Sequence, residues 1–356
     1  MTTRRGFLVG LASLGAAPRL GWADVGAPAW LTAGMKPDGA YVLHGLSAGG
    51  VSRFEIPLPA RGHAAAAHPT RPEAVAFARR PGVFALVLDC FTGEVLSRLT
   101  PPEGRQFNGH GAFSADGRLL MTSEVVAEGS AGRIGLWDAG TWRRIGEWDS
   151  GGIGPHDLKR LADGRIVVAN GGIQTDSTDR TMLNLETMKP NLALLSAEGE
   201  ILEIMELEEE LRQNSIRHLA LIDGGTGVAF AMQWQGDPAE AVPLLGVWRP
   251  GEAPLLCEAA PGDLFAMKGY AGSVAAVGER IAISSPRGGA VMIFDRSGAP
   301  LATHRRADVC GLAALEGGFV ASDGSGALWR LSAEAMEPLA RHDVAWDNHM
   351  VSAASL

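Results

Sequence analysis

The chain has 356 residues, with 31 Lys or Arg against 40 Asp or Glu, a formal charge of −9. Net acidity with 20% charged residues excludes a protein that tracks a phosphate backbone, which needs a basic stripe. A hydrophobic content of 46% supports a sizeable core, while 47 Gly and 20 Pro without a collagen period exclude a helical bundle and punctuate many short strands.

Residues 1–23 read as an export leader and are set apart from the fold. Thr3-Arg4-Arg5-Gly6-Phe7-Leu8 precedes a short apolar run from Phe7 to Ala17, and Pro18-Arg19 and then Gly21-Trp22-Ala23 follow. This resembles a twin-arginine signal, which implies export of a folded protein to the periplasm. No later apolar stretch is long enough to span a bilayer. Cys90, Cys257 and Cys310 form an odd, sparse set, which excludes a disulfide scaffold.

From Gly62 onward one phrase recurs: four short strands in roughly 40–50 residues, the signature of a β-propeller. The third-to-fourth strand junctions carry it most clearly. They are Leu88-Asp89-Cys90-Phe91-Thr92-Gly93, Leu136-Trp137-Asp138-Ala139-Gly140, Leu195-Ser196-Ala197-Glu198-Gly199 and Phe294-Asp295-Arg296-Ser297-Gly298. In each, Asp or Ser opens the turn and Gly follows, which is type I turn chemistry. Repeats start near His63, His110, His156, His218, Gly272 and Cys310. Trp346 to Ser355 reads as a lone first strand, and Ala40 to Pro57 supplies strands lacking one. Residues 24–356 are therefore expected to form one all-β domain, a seven-bladed β-propeller closed by pairing of N- and C-terminal strands, which hides both edges. Three insertions interrupt second-to-third strand connections: Gly171 to Lys189, Gln233 to Ala241 and, more mildly, Glu124 to Gly132. The acidic run Glu206 to Glu210 reads as a short solvated helix.

Stacking the repeats places His63, His110, His156, His218 and His349 at one structural position, with Cys310 in a sixth blade and Gly272 in the remaining one. First strands line the central channel of a propeller, so these five histidines are expected to ring one mouth, framed by the insertions. Imidazoles converging in this way suit Cu, Zn, Fe or Ni, with His110, His156 and His218 expected as principal ligands and His63 and His349 contributing. Asp157, Asn108, Asn348 and Asp347 are candidates for orienting the rings; Cys310 is a candidate further ligand, but taken alone it reads rather as a buried small hydrophobe. The competing reading is structural: WD-repeat proteins use a Gly-His pair bonded to an Asp in a tight turn, and Gly109-His110 with Trp137-Asp138 imitates that spacing. Met182 and Met188 read as core rather than soft ligands. No nucleotide fingerprint, nucleophile elbow, His-Glu-x-x-His or Cys-x-x-Cys-His haem attachment motif occurs.

As a set, Asn108-Gly109-His110-Gly111-Ala112-Phe113-Ser114, Gly154-Pro155-His156-Asp157-Leu158, Asn170-Gly171-Gly172-Ile173, Ile216-Arg217-His218-Leu219 and Trp346-Asp347-Asn348-His349 resemble the DUF1513 family of exported seven-bladed propellers. The resemblance implies a role in periplasmic iron or other metal acquisition beside imelysin-type partner proteins. The expected function is therefore a non-catalytic, periplasmic metal-binding propeller handling iron or copper, with zinc as a further candidate ion. A protein-interaction platform is the alternative. A lactonase, which needs a cage of acidic and Asn ligands, or a quinone-dependent dehydrogenase is the enzymatic one.

Overall fold

The computed structural model describes residues 20–79, 82–179 and 181–353. Among them lie seven four-stranded antiparallel sheets arranged around one axis. The first strand in each is the innermost. Gly62–Ala67, Arg105–Phe113, Pro155–Arg160, Asn214–Ile222, Ser273–Val277 and Val309–Leu315 open blades two to seven.

Blade one is composite. Its inner strand is the C-terminal Ala345–Ser352, and its outer three are Trp30–Met35, Tyr41–Leu46 and Ser52–Leu58. The ring is closed as the sequence predicts, with Leu31 opposite Val351 and Met35 opposite Ala345. Trp30–Met35 precedes the stretch read as strands from the sequence. Its first five residues are all buried, so it lacks the alternation that marks a half-exposed strand.

Burial on both faces is general in the middle strands. Ile166–Asn170 and Asn191–Leu195 are buried at every position, whereas the outermost Val95–Leu99 is largely exposed. Sheets packed face to face read as continuous apolar runs. The core is correspondingly split into seven clusters, one in each gap between neighbouring blades. Phe77 and Phe107 fill the gap between blades two and three, and Phe230 and Trp248 that between four and five.

The turns behave as their chemistry demands. Asp295 accepts hydrogen bonds from Ser297 N at 2.8 Å and Ala299 N at 3.0 Å, and Gly298 takes a left-handed φ of 86°. In blade three the left-handed residue is Trp142 (φ 56°), two positions after Gly140, so there the Gly does not serve the turn.

Two of the three expected insertions are present. The first runs from Gly171 after the strand Ile166–Asn170 and is held at its ends by buried Ile173 and Met188, with an isolated bridge pairing Thr175 to Met182. Met182 itself is exposed. The second leaves the strand Gly227–Trp234. Glu124 to Gly132 is not an insertion: strands Leu119–Val126 and Ala131–Asp138 extend into it and leave a tight turn. Glu209–Leu211 forms a single 3-10 turn, and a short α-helix, Pro261–Ala266, joins blades five and six. The twin-arginine stretch lies outside the described residues. At the end of the proposed leader, Trp22 is buried between blades one and two, and its indole nitrogen donates to the His68 carbonyl at 2.8 Å.

Candidate metal centre

Six of the seven inner strands carry a β-bulge. In blade two, Gly62 faces Ala78 and Ala65 faces Ala76, so His63 and Ala64 oppose one residue. In blade four His156 and Asp157 do the same, and in blade seven Cys310 and Gly311. Blade three sets Asn108, Gly109 and His110 against one residue, and blade one sets Asp347, Asn348 and His349 against one. In blade five Arg217 is the extra residue, between Ile216 and His218. Blade six alone runs in unbroken register, from Ser273 opposite Ser284 to Val277 opposite Arg280. A bulge re-aims side chains out of the pleat. The blade that lacks the histidine or cysteine is also the blade that lacks the bulge.

These bulges bring all five predicted histidines together on the axis. Ring centroids lie 4.5 Å apart for His63 and His349, 4.7 Å for His110 and His156, 4.7 Å for His156 and His218, and 4.6 Å for His218 and His349. His110, His156, His218 and His349 are buried and His63 is partly so. One ring nitrogen from each of His63, His110, His156 and His349 lies within 4.8 Å of the others, so this group can hold a metal ion. Bonds of ~2.1 Å place tetrahedral donors about 3.4 Å apart, so the rings would have to draw closer to hold an ion in that geometry. His218, expected as a principal ligand, packs against three of these rings but lies outside that four-nitrogen group.

The polar surroundings leave nitrogens aimed at one another without partners. His110 Nε2, His156 Nδ1, His218 Nδ1 and His349 Nε2 are buried and make no hydrogen bond. Burial, followed by the neighbouring rings, pushes the titration of His156, His218 and His349 well below the ordinary histidine range, so these rings are neutral. Neutral imidazole is the form a metal requires.

Asp157 orients one ring. Its carboxylate lies 3.5 Å from His110 Nδ1 in the adjacent blade, which directs Nε2 to the centre. It also accepts from Leu219 N at 3.0 Å and pairs with Lys159 at 3.0 Å. Burial alone would raise its titration, but Lys159, His110 and the Leu219 amide outweigh that and hold it well below the usual carboxylate range.

The other candidates sit elsewhere in the network. Asp347 binds Arg61 through both oxygens, at 2.8 and 2.9 Å, and takes the amide of its neighbour Asn348. Asn108 donates to the Pro155 carbonyl, tying blade three to blade four beside His156. Cys310 occupies the expected bulge, but its thiol lies 3.3 Å from the Asp347 carbonyl, buried within the core between blades seven and one. Burial pushes that thiol up to about 12, so it is a protonated core residue. His68 and His304, both off register, bond to the Gly117 and Ser332 carbonyls.

Sequence reasoning passed over Arg217 as a functional residue. Its position beside His218 in the run Ile216-Arg217-His218 was the available signal, since a strand start that points a histidine inward also places its neighbour at the channel rim. Burial lowers its titration to about 10.

The fold is similar to that of several solved propellers. The structure of U3-55K matches with a TM-score of 0.60 at 13% identity, covering 80% of this chain and 82% of that one. The crystal structure of RRP9 WD40 repeats matches with a TM-score of 0.60 at 13% identity, covering 87% and 85%. Hydrazine synthase of Kuenenia stuttgartiensis gives 0.54 at 14% identity, covering 75% and 77%. Identities this low establish likeness of fold alone. No curated protein matches the chain. The model of the family described as "Protein of unknown function (DUF1513)" matches residues 56–353, a span that contains all five axial histidines, and the chain belongs to that family.

Proposed function

We propose that this protein binds a transition metal ion through its axial histidines and serves iron or copper handling in the periplasm, together with partner proteins of the imelysin type. One observation carries the reading. Five imidazoles from five consecutive blades converge in a buried space, and four of them present ring nitrogens that nothing in the protein satisfies. Unpaired buried polar atoms are costly, and a bound ion satisfies them together. Nitrogen donors of this kind suit Cu, Fe, Zn and Ni rather than Mg or Ca.

The fold-element reading requires His110 to bond the Asp of a tight turn. Asp138 instead uses its carboxylate on its own turn, accepting from Thr141 N at 2.7 Å and Gly140 N at 3.2 Å. A lactonase-type cage is disfavoured because the two carboxylates near the rings are committed, Asp157 to Lys159 and backbone amides and Asp347 to Arg61. The export leader, with its paired arginines, supports the periplasmic setting.

The test is titration of Cu(II), Fe(II) and Zn(II) into metal-stripped wild type, His156→Ala and His304→Ala. Wild type and His304→Ala are expected to bind one ion, and His156→Ala to lose most of that affinity. Equal binding by all three proteins, or none by the wild type, overturns the metal reading and leaves the propeller face as an interaction platform.

A further inference from the structure

A metal held by imidazoles alone keeps its full charge, because neutral ligands cancel none of it. Two carboxylates adjoin the rings, and neither is free to compensate: Lys159 neutralises Asp157, and both nitrogens of the Arg61 fork occupy Asp347. Arg217 adds further positive charge. It is the extra residue of the blade-five bulge, next to His218 in the chain. Its guanidinium lies against Gly171 of blade four, where an added Cβ would stand 3.2 Å from Cζ. Its Nε is buried without a hydrogen bond, and among the described residues no carboxylate pairs with it.

Arg61, Arg105, Arg133 and Arg306 on the same face are each paired, with Asp347, Glu147, Asp149 and Asp323 respectively. A second guanidinium without a carboxylate, Arg287, stacks on Tyr270 with Cζ 4.3 Å from the ring centroid. Arg287 lines an open surface depression together with Arg305, Arg306 and Asp308. Buried charge that stays uncompensated is strongly unfavourable.

We infer that the mouth holds a small oxyanion of the carboxylate or carbonate class, gripped on one side by the Arg217 guanidinium and bound on the other to the metal. The inference rests on the metal reading above. A planar guanidinium matches two coplanar anionic oxygens, and such charge-assisted pairs are short and strong. Arg287 extends the positive field outward, so an anion arriving from solvent meets it first.

The experiment uses the Cu(II)-loaded full chain in chloride-free buffer, titrated with formate and, separately, with bicarbonate, while the copper absorption band and calorimetry are followed. Wild type is expected to bind one anion with a shift of the band. Arg217→Gln is expected to keep one copper per chain and to lose at least about ten-fold in anion affinity. Arg217→Lys retains charge without the fork and is expected to fall between them; it decides the matter if the Gln variant does not fold. Anion affinity that is equal in wild type and Arg217→Lys or Arg217→Gln overturns the inference while the metal reading stands. A copper-loaded wild type that binds neither anion does the same. A wild type that binds no metal overturns both readings, and that result is separate because it precedes the anion step.

Discussion

Acid should unfold the metal-free protein at an unusually mild pH. His156, His218 and His349 are buried, and their titration is held well below the ordinary value of 6.5. In the unfolded chain each regains that value, so below pH 6.5 the unfolded state binds protons that the folded state refuses. Stability is therefore intact above pH 6.5 and falls as the pH drops below it. Between pH 7 and pH 5 each such histidine loses about 2 kcal/mol, so the three together lose about 6 kcal/mol. Domains of ordinary stability have about 5–15 kcal/mol in total. His44 and His68, both lowered to about 4 by burial, act in the same direction. Carboxylates stay ionised in both states over most of this window, so the histidines set the slope. Urea denaturation at intervals from pH 7.5 to 5 gives the number of protons taken up, at about 1.4 kcal/mol per pH unit for each. A slope approaching three protons or more is expected near pH 5.5. A slope below one proton would refute the argument that these rings are buried and neutral.

Replacing Asp157 with Asn removes the charge facing His110 Nδ1 and should weaken metal binding about 10- to 100-fold by equilibrium dialysis; undiminished affinity would deny it the orienting role. Gly109→Ala puts a Cβ into the His63 ring at a φ of 96°, whereas Gly93→Ala at φ 79° meets open space. The first should cost clearly more than the ~1–3 kcal/mol of backbone strain that both share, and equal urea midpoints would contradict the packing described. Truncation after Val344 strips the inner strand from blade one and exposes the edge of Trp30–Met35, so light scattering should report association; a monomer melting like the full chain would refute closure. The burial of Trp22 predicts that protein recovered after export retains this residue, and an intact mass beginning at residue 24 would refute that.

The repeat was legible because turns impose local chemistry. An Asp whose carboxylate caps the next amides, as Asp89 does for Phe91 and Thr92, needs no partner from elsewhere in the chain. The axial histidines were legible because a closed ring gives every first strand the same environment. The bulges were not, since an extra residue such as Arg217 shows only once its neighbouring strand is known. Asp157 was legible as an orienting residue, but not the ring it serves, which is His110 of the preceding blade, 3.5 Å away in space. Cys310 shares the register but packs as a small buried hydrophobe, the reading its sequence favoured over a ligand, because the thiol turns into the gap between blades seven and one. Trp30–Met35 was hidden by its uniform burial, which erases the two-residue period.

His349 lies on Ala345–Ser352, far along the chain from the three strands of blade one that it completes. The histidine group is therefore complete only once that strand has docked. An ion engaging His63 and His349 together acts as a cross-link between the two ends of the polypeptide, placed at the seam where a propeller opens most readily. Cross-links that span long loops restrict the unfolded chain most. Loading would then lock the ring as well as fill it, and release of the ion would loosen the one joint that covalent connectivity does not secure.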